Sequence, residues 1–171
     1  MYAVITGASS GIGEQLAKRL AKEGYDLILV ARRRERLAAL ADELRAAHKG
    51  LKCDIFTADL MQLDECQRLS DYLEEKDVEI FINNAGYGDC GLFEETDIAK
   101  EMGMIDVNVR AVHFLTKKLL RQMRVKDRGF ILNVASSAGL IPAGPYMATY
   151  YATKAYVASL SRAVACELRQ N

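Results

Sequence analysis

Tyr150 and Lys154 stand four residues apart in the segment Tyr150-Tyr151-Ala152-Thr153-Lys154. On a helix that spacing puts both on one face, one turn apart. A free tyrosine hydroxyl, with a pKa of about 10, is a poor base at neutral pH. An ammonium one turn away favours the phenolate and makes the hydroxyl a usable proton donor or acceptor. Tyr151, three residues from Lys154, shares that face by the same rule, so the spacing alone leaves two tyrosines open. Ser136 and Ser137 end an apolar strand-length run, at the end of a parallel sheet where ligands bind. Asn108 sits among apolar residues of a long helical segment, where asparagine is a weak helix former and asks for a reason.

A second group lies at the other end of the chain. Thr6-Gly7-Ala8-Ser9-Ser10-Gly11-Ile12-Gly13 follows an apolar run and opens a helical segment. Gly7 suits a tight turn, Gly11 lets backbone approach a diphosphate, and Gly13 lets the helix lie close on the strand. The helix start adds unpaired N–H groups and the positive end of its dipole. The second apolar run ends in Val30-Ala31-Arg32-Arg33-Arg34. An enzyme reading a ribose 2′-OH carries an acid at that point, and none is present. A guanidinium at Arg32 suits a 2′-phosphate instead. Three arginines at a helix start oppose the dipole, which a bound anion would explain.

These groups need a frame. Apolar stretches at 2–6, 26–30, 51–57, 79–83 and 129–135 read as strands buried on both faces. Helical segments are predicted over 11–23, 33–48, 64–76, 98–124 and 149–169. Ile12, Leu16 and Leu20, and Leu37, Leu40 and Leu44, keep the spacing of one buried helix face. Strand–helix alternation implies parallel strands joined by right-handed crossovers, in one α/β domain over 1–171.

Composition narrows the function. Of 171 residues half are hydrophobic and 27% charged, with 23 basic against 23 acidic, so a general nucleic-acid or anionic-membrane binder is a poor fit. Cys53, Cys66, Cys90 and Cys166 form no ligand cluster with the histidines, which argues against a metal site and for free thiols in a reducing compartment. The first residues lack a signal-peptide pattern and no run is long enough to cross a bilayer. A cytoplasmic protein is expected.

The TGxxxGxG spacing resembles that of the short-chain dehydrogenase/reductases, and four further motifs follow in the order of that family. Asp59-Leu60 matches its adenine-binding pair, and Asn83-Asn84-Ala85-Gly86 its NNAG motif. Asn108, Ser137, Tyr150 and Lys154 match its catalytic tetrad, with Ser137 thirteen residues before Tyr150 as in the family. That spacing selects Tyr150 over Tyr151 and Ser137 over Ser136. The resemblance implies a three-layer doubly wound Rossmann fold with strand order 3-2-1-4-5. It also implies NADP(H) in preference to NAD(H), with Arg32, and Arg33 or Ser9 and Ser10, on the 2′-phosphate. Gly7 to Gly13, with Ile12 among them, would take the diphosphate. Asn83, Asn84, Ala85 and Gly86 would support the sheet and line the adenosine and nicotinamide ribose. Tyr150 would exchange a proton with a carbonyl or alcohol oxygen that Ser137 holds, and Lys154 would bind the ribose and tune Tyr150. Asn108 would bend its helix and hold a water in the proton relay.

Three rivals remain: a non-catalytic dinucleotide-binding regulator, a flavodoxin-like domain with no use for the glycine loop, and a sugar epimerase, which more often carries TGxxGxxG. A full sheet of this kind has a sixth strand, and the family adds a seventh with substrate-covering helices; none is found by residue 171. The chain is therefore expected to lack its C-terminal strands, and an isolated 1–171 polypeptide to bind NADP(H) weakly and turn over slowly. The family also implies a homodimer or homotetramer.

Overall fold

The computed structural model describes residues 1–142 and 144–169. Five strands form one parallel sheet: β1 (Tyr2–Thr6), β2 (Asp26–Ala31), β3 (Cys53–Thr57), β4 (Val78–Asn83) and β5 (Phe130–Asn133). Their order is β3-β2-β1-β4-β5, as expected. Alternation along each strand feeds two separate cores. Val4, Ile28, Val30 and Phe81 point to one face, and Ala3, Ile5, Leu27, Leu29 and Ile82 to the other. That is why the strand sequences read as unbroken apolar runs.

The second face is covered by α1 (Gly11–Lys22) and α2 (Arg34–Ala47), through Ala17, Ala21, Leu37, Leu40 and Leu44. The first is covered by α3 (Leu63–Glu74) and by α5 (Val112–Val125), through Leu69, Leu73, Leu115 and Leu119. The long α6 (Ala148–Arg169) packs beside α5 and α4 (Ile98–Ile105), completing a three-layer sandwich.

Three expectations are corrected. The fully buried stripe of α1 is Gly13, Ala17 and Ala21; Leu16 and Leu20 pack half-buried against the same core, as expected, but Ile12 does not. Small residues there let the helix lie close on the sheet, and Ile12 is left 63% exposed. The predicted helix over 98–124 is broken: α4 passes into a π turn, Asp106–Ala111, before α5 begins. Asp97 caps the start of α4 by accepting from the Ala99 N–H at 2.9 Å. The strands expected over 51–57 and 129–135 are shorter, Cys53–Thr57 and Phe130–Asn133, with the residues beyond them in the flanking connections.

Candidate active site

At the carboxyl ends of the strands, a cleft of about 430 Å³ runs from the glycine loop to the start of α6. Parallel strands all present their C-terminal ends there, and the order reverses between β1 and β4, so the cleft sits at the switch point of the sheet.

The loop after β1 is shaped by its glycines in different ways. Gly7 has φ +68°, and a Cβ on Gly13 would stand 2.4 Å from the Gly7 carbonyl oxygen. Those two glycines therefore serve each other, closing the turn and seating α1. Gly11 has φ +59° with open space around its Cβ position, so it is needed for its backbone angle. Thr6, buried at the end of β1, donates to the Ile82 carbonyl at 3.2 Å and accepts from the Asn84 and Ala85 N–H groups at 2.9 and 3.0 Å. Asn84 returns the link by donating Nδ2 to the Thr6 carbonyl at 3.0 Å. One hydroxyl and one amide thus lock the glycine loop to the strand-four exit. The sequence reading assigned Thr6 no role; a threonine ending an apolar strand looks like any β-former.

Ser10 precedes α1 in an extended conformation and makes no side-chain cap. Its Oγ instead accepts from Arg33 at 2.9 Å, and the Ser9 Oγ accepts from the same guanidinium nitrogen at 3.0 Å. Ser9, Ser10, Ile12, Arg32 and Arg33 all line this end of the cleft. No side chain satisfies the first N–H groups of α1 from its cap position, which leaves them for an anion. Asp59, Leu60 and the neighbouring Met61 also line the cleft, Met61 within 4.0 Å of the Arg32 guanidinium. Asp59 accepts from the Met61 N–H at 3.1 Å, so it braces its own turn.

Asn84, Ala85 and Gly86 line the middle of the cleft, together with Tyr87 and Gly88. Asn83 lies outside the lining, 3% exposed, and donates to Thr116 at 3.1 Å and to Asn133 at 2.8 Å. It joins β4 to β5 and α5 from within the core. Gly11 and Gly13 are also outside the lining, Gly11 exposed and Gly13 buried under the turn.

Tyr150 and Lys154 close the far end, in the first two turns of α6. Lys154 is only 7% exposed; its Nζ donates to the Val134 carbonyl at 2.9 Å and stands 5.9 Å from the centre of the Tyr150 ring. Burial lowers the Lys154 pKa from the ordinary lysine value. A Cβ on Gly88 would meet the Tyr150 ring at 3.0 Å, so the loop after β4 supports the tyrosine from below. Tyr151 lies edge-on to Tyr150 at 6.5 Å and lines no part of this cleft.

Asn108 is fully buried in the π turn. Its Oδ1 accepts from the Tyr87 N–H at 3.1 Å, and its Nδ2 donates to the Tyr87 carbonyl at 2.9 Å and to Thr153 Oγ1 at 3.1 Å. Both amide hydrogens are therefore committed, and a relay using this residue would draw on another of its atoms. A mid-helix asparagine is explained: it clamps the strand-four loop while the π turn absorbs the break in helix geometry.

Ser137 begins a 3₁₀ turn, Ser137–Gly139, and is exposed beside the cleft without belonging to its lining. Ser136 accepts from the Ala138 N–H at 3.2 Å, so its oxygen caps the turn. The turn packs directly on α6, since a Cβ on Gly139 would lie 2.5 Å from the Lys154 carbonyl oxygen. Ser137 is thereby held against the helix that carries Tyr150 and Lys154.

The order of these elements matches a known family along the whole chain: the family model for short chain dehydrogenase matches residues 1–171. The chain belongs to the short-chain dehydrogenase family. The very-long-chain 3-oxoacyl-CoA reductase of Neurospora crassa is 34% identical over 98% of this chain and 52% of its own length. This chain therefore spans about half the length of the curated relatives it matches. Among solved structures, the bulky-bulky ketone specific alcohol dehydrogenase from Comamonas testosteroni superposes with a TM-score of 0.93 at 35% identity, covering 99% of this chain and 68% of that one. A short-chain dehydrogenase from Sphingobium yanoikuyae, solved in complex with NADPH, gives a TM-score of 0.93 at 36% identity, covering 99% and 66%. Among the described residues, no helix is long and apolar enough to cross a membrane.

Proposed function

We propose that this protein is an NADP(H)-dependent oxidoreductase that transfers hydride reversibly between the nicotinamide and a carbonyl or secondary alcohol. The observation that carries this reading is that one cleft holds both halves of the chemistry: the glycine loop with Arg33 at one end, Tyr150 and Lys154 at the other. The lining fits a dinucleotide, because the uncapped start of α1 suits its diphosphate and Arg32 and Arg33 suit a 2′-phosphate. The NADPH complex of the Sphingobium yanoikuyae protein supports the same cofactor.

The bound cofactor supplies or accepts the hydride. The chain's own groups manage the oxygen and its proton. Ser137 donates a hydrogen bond to the carbonyl oxygen, and the Tyr150 hydroxyl gives that oxygen a proton as it gains charge. The Lys154 ammonium, held by the Val134 carbonyl, stabilises the phenolate left behind and would hold the ribose of a bound nicotinamide. Asn108 holds the backbone of Tyr87 and so fixes the loop beneath Tyr150. The names of the curated relatives make 3-oxoacyl thioesters the first substrates to test, with bulky ketones next. We infer a homodimer or homotetramer as the working form.

NADPH oxidation measured on the full-length protein with 3-oxoacyl thioesters, ketones and aldehydes tests this reading. Turnover should fall by about 10²- to 10⁴-fold in Tyr150→Phe, while NADPH binding persists. No turnover by the full-length wild type, with Tyr150→Phe indistinguishable from it, would instead favour a dinucleotide-binding regulator.

A further inference from the structure

Thr153 stands between the two residues of the Tyr150–Lys154 pair and plays no part in the reaction described above. The residue is 3% exposed and its hydroxyl has two partners, accepting from Asn108 Nδ2 at 3.1 Å and donating to the Tyr150 carbonyl at 2.8 Å. Of the 22 residues of α6, only Thr153, Lys154 and Val157 are buried. These three are the most deeply seated residues of the helix, near the cleft, with half-buried residues before and after them. Val157 contributes apolar contact, which is non-directional. Lys154 is itself one of the reacting groups. Thr153 supplies the hydrogen bond that fixes the rotation of this turn against the π turn.

The same contact reaches the loop beneath the tyrosine. The other amide hydrogen and the oxygen of Asn108 hold both backbone polar groups of Tyr87. On either side of Tyr87, Gly86 and Gly88 pack closely: a Cβ on Gly86 would lie 3.6 Å from Lys154 Nζ, and one on Gly88 3.0 Å from the Tyr150 ring. The chain Tyr150 carbonyl, Thr153 hydroxyl, Asn108 amide, Tyr87 backbone therefore closes a ring around the pair. Other side-chain bonds to α6, among them Lys154 to the Val134 carbonyl at 2.9 Å, Asn133 to Ser161 at 3.0 Å and His113 to Tyr156 at 2.6 Å, do not involve Asn108 or Tyr87.

We propose that Thr153 is a positioning residue, which sets the Tyr150–Lys154 pair against the strand-four loop by holding Asn108. The hydroxyl is the required group: a valine of similar shape fills the space but leaves an Asn108 hydrogen buried without an acceptor. Asn108 then turns to satisfy it, and its hold on Tyr87 is lost. Ala152, exposed on the same turn, touches none of these groups and serves as the control.

The inference rests on the oxidoreductase reading for its kinetic test, and a second readout stands without turnover. In the full-length protein, Thr153→Val should lower kcat by roughly 10-fold or more, the equivalent of one unmet buried donor, with the Kd for NADPH within about twofold of wild type. Thr153→Ser, which keeps the hydroxyl, should restore kcat, and Ala152→Ser should leave it unchanged. In parallel, ¹³Cζ-tyrosine spectra, with the Tyr150 signal assigned by its loss in Tyr150→Phe, should show that signal displaced in Thr153→Val and returned to its wild-type position in Thr153→Ser. Unchanged kcat and an unchanged Tyr150 signal in Thr153→Val would overturn the proposal. So would a loss that Thr153→Ser fails to restore, or one matched by an equal loss of NADPH affinity, since either marks general damage to the fold. If wild type turns over no carbonyl, the oxidoreductase reading fails and the Tyr150 signal alone decides on Thr153.

Discussion

Arg33 donates to two serine hydroxyls rather than to an acid, which orients a guanidinium without neutralising it. A phosphate arriving there meets a full positive charge already aimed at the cleft, and a bidentate charge-assisted contact is among the stronger polar interactions. Arg33→Ala should weaken NADPH binding by roughly 10- to 100-fold, the equivalent of about 1.5–3 kcal/mol, and leave NADH binding nearly unchanged. Fluorescence titration with both cofactors measures the ratio, and equal losses for the two would refute a 2′-phosphate role. Lys154 offers a test through pH. Its folded-state pKa lies below the ordinary lysine value because burial disfavours the charge. Between those two values the unfolded chain binds more protons than the native one, so stability rises with pH through the window below about 10.5. Urea unfolding from pH 7 upward should show that rise in wild type and a flatter profile in Lys154→Met. A wild-type-minus-variant difference that does not change with pH would contradict it. The activity limb runs the other way, since Lys154 loses the charge that supports Tyr150 over the same range.

At the scale of elements, the sheet and its order were legible because unbroken apolar runs such as Asp26–Ala31 have one reading between turn signals, and both cores then follow from alternation. The break in the helix after Ile105 was half legible. Asn108 signalled a disturbance, but its partners are the Tyr87 backbone and Thr153, 21 and 45 residues away. No local pattern encodes such contacts. Thr153 and Thr6 were missed for the same reason. Ile12 was misplaced on the buried stripe of α1 because periodicity counts apolar residues, whereas close packing on the strand selected Gly13, Ala17 and Ala21. That packing makes a graded prediction. Gly11→Ala meets no atom but must hold φ +59°, at a cost of about 1–2 kcal/mol. Gly13→Ala drives a methyl into the Gly7 carbonyl, 2.4 Å away, and against Asn84, so helix and loop must move apart. Thermal unfolding should rank Gly13→Ala clearly below Gly11→Ala, with NADPH binding lost along with it. The reverse order would mean that the loop is governed by backbone angle alone.

For the molecule as a whole, the two faces of the sheet are covered unequally. On one face α3, α5 and α6 extend across β1, β4 and β5; on the other, α1 and α2 pack over β1 to β3. Register carries the consequence to β5, where Phe130 pairs with Ile80 and Leu132 with Ile82. Ile80 and Ile82 belong to the core under α1 and α2, so Phe130 and Leu132 point to the same side, beyond the reach of those helices. They are 67% and 47% exposed, on an edge strand whose outer backbone groups pair with no other strand among the described residues. An edge with adjacent apolar side chains is a template for association. A polypeptide of these 171 residues should therefore self-associate at roughly tens of micromolar, through β5 rather than through the cleft. The double variant Phe130→Lys, Leu132→Thr keeps β-forming length while placing a charge and a hydroxyl on the exposed face, and it should shift the population to monomer. Sedimentation velocity across a concentration series reads both species, with the cleft variant Arg33→Ala as the control that should not change them. A wild-type polypeptide that stays monomeric throughout would show that the twist of β5 already protects its edge. Association that survives the double variant would move the contact to another face, with the exposed residues of α6 the next surface to test.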